Sequence, residues 1–232
     1  MPLTRHAAWD QHPVWNPDGT RIAFSSGREG VTKLFQMPTD GSGHEERLLD
    51  STTTNRATDW SSDGRYIVYR NDDLRTKTDL WALPLFGDRK PFPIARSEFA
   101  EAQGRVSPDG RCIAFSSDDS GQPEIYVQAF PIPKQRWPVS AKGGSDPKWR
   151  RDGRELFYIS ADRKLMAIPV TPGEVPAFGA PVALFGEVAF DSIREGTAYD
   201  VSADGRHFLI LKTGGSPPQL NAILNWTSLL KK

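Results

Sequence analysis

The sequence predicts an all-β domain, a β-propeller of four-stranded blades, on three observations: an internal repeat, a surplus of turn residues, and no segment patterned as a long helix. Gly 20 and Pro 19 among 232 residues make about 17% of the chain, where roughly 12% is usual. The repeat decides the matter, because a period of 40 to 50 residues marks a blade array. It reads Trp15-Asn-Pro-Asp18-Gly-Thr-Arg-Ile22-Ala-Phe24, Trp60-Ser-Ser-Asp63-Gly-Arg-Tyr-Ile67-Val-Tyr69 and Val106-Ser-Pro-Asp109-Gly-Arg-Cys-Ile113-Ala-Phe115. Two further copies are Trp149-Arg-Arg-Asp152-Gly-Arg-Glu-Leu156-Phe-Tyr158 and Val201-Ser-Ala-Asp204-Gly-Arg-His-Phe208-Leu-Ile210. Steps of 45, 46, 43 and 52 residues separate the turn aspartates, the length of a four-stranded blade.

Within each unit the strands follow in order. A short first strand ends at the Trp or Val. The Asp-Gly turn comes next, with Asp bonding nearby backbone and Gly taking positive φ. In the second strand, the apolar residues four and six past the Asp share one face by the two-residue period, so Ile22/Phe24, Ile67/Tyr69, Ile113/Phe115, Leu156/Tyr158 and Phe208/Ile210 are core. Third strands are expected at Lys33 to Met37, Asp79 to Leu83, Glu124 to Gln128, Lys164 to Ile168 and Asn221 to Trp226. Shorter, more polar fourth strands, as outer edges should be, fall at Glu46 to Leu49, Pro91 to Ala95, Arg136 to Ser140 and Pro181 to Phe185. The whole chain, 1–232, is one domain with repeats near 5–50, 51–97, 98–140, 141–186 and 187–232. Trp15, Trp60 and Trp149 are expected between blades.

Leu3 lies 15 residues before Asp18, as Ile94 lies 15 before Asp109, so Met1 to Thr4 fall where an outer strand ends. Two architectures follow: a closed five-bladed ring that this stub completes, or the C-terminal part of a larger propeller. The balance of 29 Lys+Arg against 29 Asp+Glu argues against a nucleic-acid partner, which would demand a basic surplus. No stretch approaches the roughly 20 apolar residues that span a bilayer, so no membrane insertion by this chain is expected, and a monomer is. The single Cys112 excludes an internal disulfide. A complete chain would be cytoplasmic; a fragment of a membrane-anchored protein would be periplasmic or extracytoplasmic.

These units resemble the TolB-type β-propeller repeat, x-Pro-x-Trp-Ser-Pro-Asp-Gly-x-x-Ile-Ala-Phe followed by a Leu-Tyr or Leu-Trp strand. Pro13 to Phe24 departs from it only by Asn16 for Ser, and Ser107 to Phe115 is nearly as close, although Val106 replaces the Trp. The fifth unit is the weakest match. A narrower similarity, through Tyr126 to Pro131, Gly143 to Tyr158 and Asn225 to Lys232, is to the C-terminal propeller of bacterial multidomain serine/threonine protein kinases. The sequence carries no His-Arg-Asp loop, Asp-Phe-Gly or Gly-rich phosphate loop, so no kinase chemistry transfers.

Five repeated turn aspartates are explained by turn chemistry. His6, Asp10 and His12 have the right atoms for a metal, but loop histidines that cap or solvate are commoner, and no metal or other cofactor is expected. Asp72-Asp73 and Asp118-Asp119 fall in outer loops and read as solvated turn residues. Gly143-Gly-Ser145 and Gly214-Gly-Ser216 lack the Gly-x-Ser-x-Gly elbow.

One set stands apart. The residue four before each turn Asp is Val14, Asp59, Arg105, Lys148 and Asp200. First strands line a propeller's channel, so four charges of mixed sign should surround one axis. They either pair to fix blade packing or form a polar mouth for a ligand. The expectation is a non-catalytic binding module for a protein, peptide or small polar ligand, using Asp59, Arg105, Lys148 and Asp200 and serving as a sensory or scaffolding part of a signalling protein. Its rivals are a five-bladed glycan hydrolase or lyase and the gating propeller of a peptidase.

Overall fold

A computed structural model describes residues 3–186, 188, 199–211 and 220–224. Every regular element among them is a strand, and no helix is long and apolar enough to cross a membrane. Blade 1 holds β1 (Asp10–Trp15), β2 (Arg21–Glu29), β3 (Val31–Pro38) and β4 (Glu46–Arg47). Blade 2 holds β5 (Thr54–Trp60), β6 (Tyr66–Asp73), β7 (Lys77–Pro84) and β8 (Phe92–Ala95). Blade 3 holds β9 (Glu101–Val106), β10 (Cys112–Ser117), β11 (Glu124–Ala129) and β12 (Arg136–Pro138). Each is an antiparallel meander paired in chain order.

In blade 4, β13 (Gly144–Trp149), β14 (Glu155–Ser160) and β15 (Leu165–Thr171) are followed by a two-residue β16 (Ala177–Phe178) and by β17 (Val182–Phe185). Both of these pair with β15; the expected outer strand is β17, and β16 was not among the expected strands. Blade 5 has β18 (Tyr199–Val201), β19 (His207–Leu211) and β20 (Leu220–Leu224). Leu3 and Thr4 of the stub are not in a strand. Residues 1–2, and 225–226 of the last expected third strand, lie outside the described residues.

The Asp-Gly turns form as local chemistry requires. Gly19, Gly64, Gly110, Gly153 and Gly205 have φ between 69° and 73°, a region that suits glycine. Each turn is closed by a side chain two residues before the Asp. In blade 3, Ser107 Oγ donates to Asp109 Oδ1 at 2.6 Å and accepts from the Cys112 N–H at 2.9 Å. Ser61 and Ser202 repeat this. Asn16 does the same work on Asp18 and Arg21 in blade 1, and in blade 4 Arg150 grips Asp152 with two N–H groups.

Alternation along the second strand sorts the core into seams. In blades 2 to 5 the residues four and six past the Asp face the preceding blade, and in blades 1 to 4 the residue between them faces the next. Ile67 and Tyr69 therefore pack with Ala23 and Leu34 of blade 1, while Val68 packs with Ile113 and Phe115 of blade 3. Ala114 meets Leu156 and Tyr158 in the next seam. Phe157 meets Phe208 edge-on at 5.1 Å in the last. All ten residues expected in the core are buried, and each large one removed from water contributes about 1.5–3 kcal/mol.

The tryptophans divide. Trp60 is buried in the first seam, and Trp149 donates Nε1–H across a seam to the Arg105 carbonyl at 3.0 Å. Trp15 departs from expectation: it is 56% exposed. Ile22, Phe24, Phe35 and Met37 beside it form a separate buried cluster that does not include the indole.

Candidate functional site

Five first strands converge on one cavity of about 700 Å³, lined by residues of every blade. Val14, Asp59, Arg105, Lys148 and Asp200 all line it, so the set picked out by repeat position is brought together. Only some of these charges pair with one another. Lys148 Nζ donates to Asp200 Oδ1 at 2.8 Å, a formed ion pair. Arg105 Nη1 stands 4.0 Å from Asp59 Oδ1, too far for a hydrogen bond. Asp59 spends its other oxygen on the Val106 N–H at 2.7 Å.

Burial and neighbouring charge compete at each group. Desolvation pushes the Asp59 carboxyl up despite Arg105, and it pushes Lys148 down, helped by the like charge of Arg105 and opposed by Asp200. For Asp200 burial acts upward, but the Lys148 ammonium prevails and holds the carboxyl below its usual value. An Arg and a Lys close enough to repel, in a partly desolvated mouth, form a site that gains from an anion.

Beneath the mouth lies a pair of residues that repeat position four did not reveal. The first strands of blades 1 to 4 carry an irregularity, and in blades 1, 3 and 4 the residue six before the turn Asp adopts positive φ: His12 (53°), Gln103 (61°) and Asp146 (52°). Such a bulge re-aims its side chain. Gln103 and Asp146 bond reciprocally across the seam, and Tyr199 O–H donates to the Asp146 carbonyl at 2.8 Å. Asp146 is 5% exposed, its Oδ2 has no partner among the described residues, and burial pushes its carboxyl up to about 6. The signal was available in the repeat alignment, where position six holds a polar residue in three blades.

The outer acids are more engaged than solvated turn residues would be. Asp72 pairs with Arg56 and Arg70, Asp118 accepts from the Ala100 N–H at 2.7 Å, and Asp119 binds Arg136 and the Tyr126 hydroxyl. Of the metal-type cluster near the start, Asp10 is held by Arg28 at 3.1 Å. Among the described residues no three His, Cys, Asp or Glu side chains converge as a metal site.

No family model matches the chain. An uncharacterized protein of Agrobacterium fabrum is 25% identical over 160 residues, covering 62% of this chain and 53% of that protein. The Tol-Pal system protein TolB of Anaeromyxobacter dehalogenans is 34% identical over 113 residues, 47% of this chain and 24% of its own length. The chain thus spans about half of the first relative and about a quarter of the second. Among solved structures, TolB from Acinetobacter baumannii superposes with a TM-score of 0.74 at 17% identity, over 96% of this chain and 53% of that one. A gluconolactonase from Xanthomonas campestris gives 0.61 at 14%, over 96% and 78%. The fold is a TolB-like β-propeller, an architecture shared by enzymes and by proteins not named as enzymes.

Proposed function

We propose that this propeller is a non-catalytic binding module whose channel mouth takes a protein segment, a peptide or a small polar ligand. One observation carries the reading: Asp59, Arg105, Lys148 and Asp200, from four blades, line a single open cavity with donors and acceptors of both signs. Rigid scaffolds commonly place their function at such mouths. The similarity of Tyr126 to Pro131, Gly143 to Tyr158 and Asn225 to Lys232 to kinase-linked propellers is what favours a sensory or scaffolding context within a signalling protein.

The test starts from a partner captured by the wild-type protein and measures its affinity for Arg105→Glu and Lys148→Glu. Arg75→Glu serves as outer control, because that side chain is 84% exposed, whereas Asp118 holds the backbone of its own blade. Channel variants should bind at least tenfold more weakly with the control unchanged. Loss of affinity in the control alone would move the binding face to the outer loops. Turnover of glycans, esters or peptides, abolished by Asp59→Asn or Asp200→Asn, would replace this reading with an enzyme.

A further inference from the structure

We infer that the mouth is a carboxylate clamp, built around Arg105, for a ligand whose carboxylate adjoins an apolar group, as in the free C-terminal residue of a peptide ending in an aliphatic side chain. The inference rests on the binding-module reading and names the chemistry that the site selects.

The first ground is an unspent guanidinium. Arg105 keeps 23% of its side chain exposed at the cavity, and its N–H groups find no acceptor within hydrogen-bond distance among the described residues. Asp59, the nearest carboxylate, is already committed to the Val106 N–H. A planar guanidinium with free donors matches the two oxygens of a carboxylate in a bidentate bond, which Lys does not imitate. Capture of a terminal carboxylate is one of the recurring ways in which peptides are recognised.

The second ground is the neighbouring cation. Lys148, on the adjacent blade, gives one N–H to Asp200 and lies 5.7 Å from the Tyr199 ring centre. It lines the same cavity as Arg105, and the repulsion between the two cations is relieved by an anion placed between them. Asp59 and Asp200 flank this pair and suit the N–H groups of the residue that carries the carboxylate.

The third ground lies in blades 1 and 5. Besides Asp200, these blades line the cavity with apolar side chains that include Trp15, Val14, Val201 and Leu209. Trp15 is 56% and Leu209 43% exposed, an unusual state for two large apolar side chains in one concavity. A ligand with its carboxylate on Arg105 and an aliphatic group against Trp15 and Leu209 would cover both.

Calorimetric titration of the full chain with four probes tests this: acetyl-Gly-Gly-Leu as the free acid, the same peptide as its C-terminal amide, acetyl-Gly-Gly-Gly acid, and N-acetylleucine. The acid should bind at least tenfold more tightly than the amide. Arg105→Gln should erase that preference, and Trp15→Ala should weaken the leucine acid more than acetyl-Gly-Gly-Gly acid. Equal binding of N-acetylleucine and the peptide acid would assign the carboxylate to a small molecule and uphold the clamp. If Arg105→Gln fails to fold, the contrast between acid and amide on the wild type decides alone. Equal affinities for acid and amide would overturn the clamp while leaving the mouth as a binding site. Absence of binding by any probe would also overturn it, and the partner titrations with Arg105→Glu and Lys148→Glu then decide separately whether the binding-module reading survives.

Discussion

Gln103 and Asp146 hold each other across the seam between blades 3 and 4: Gln103 Nε2 donates to Asp146 Oδ1 at 2.8 Å, and the Asp146 N–H donates to Gln103 Oε1 at 2.8 Å. Both sit at bulges with left-handed backbone. The two bonds fix the floor under Arg105 and Lys148, and they leave one buried carboxylate oxygen without a partner.

That oxygen makes stability depend on pH. The Asp146 carboxyl rises from 3.8 to about 6 in the folded state, first because of burial. The folded protein then holds more protons than the unfolded one between about pH 4 and pH 6, so this group's contribution falls as pH rises through that window and the cost is complete above it. Asp146→Asn keeps an acceptor for Gln103 and tolerates positive φ. It should stabilise the protein at pH 7.5 by about 1–3 kcal/mol and by almost nothing at pH 4. Urea melts at both pH values measure this, and equal effects would refute it.

Ser107 closes its turn from a buried position, 4% exposed. Ser107→Ala leaves the Cys112 N–H without its acceptor and Asp109 with only the Arg111 N–H as donor, a loss of about 1–3 kcal/mol. Ser202→Ala removes the same bonds at a wetter site, where water replaces them, and should cost less. Chemical denaturation of both variants compares them directly.

Gly104 packs where the seam between blades 2 and 3 leaves no room. A Cβ there would stand 2.9 Å from Val68 Cγ1, 3.2 Å from Ile113 Cδ1 and 3.3 Å from Leu80 Cδ1. Gly104→Ala should therefore destabilise by about 1–3 kcal/mol through overpacking, and Gly104→Val by more. A melting temperature unchanged in the alanine variant would show that the seam yields.

Cys112 is 7% exposed, and burial pushes its thiol up to about 11. Since the thiolate is the reactive form, a disulfide reagent at pH 8 should modify the native protein far more slowly than the urea-unfolded chain. Equal rates would mean that the seam between blades 3 and 4 opens readily.

The turn motif and the alternation of the second strand were legible in the sequence because both are local. Asp109 and Ser107 close a turn within a few residues, and Ile113 and Phe115 share a face whatever the blades do. Repetition then placed Asp59, Arg105, Lys148 and Asp200 at one structural level. Tertiary structure alone decided which of these charges meet. Lys148 reaches Asp200, 52 residues away, with a true hydrogen bond, whereas Arg105 stops 4.0 Å from Asp59 and keeps its donors. It also decided that Asp146 is buried with a spare oxygen and that Trp15, equivalent in sequence to Trp60, stays exposed. Those outcomes depend on how neighbouring blades twist and close around the axis, and differences of about an ångström there separate a spent side chain from an available one.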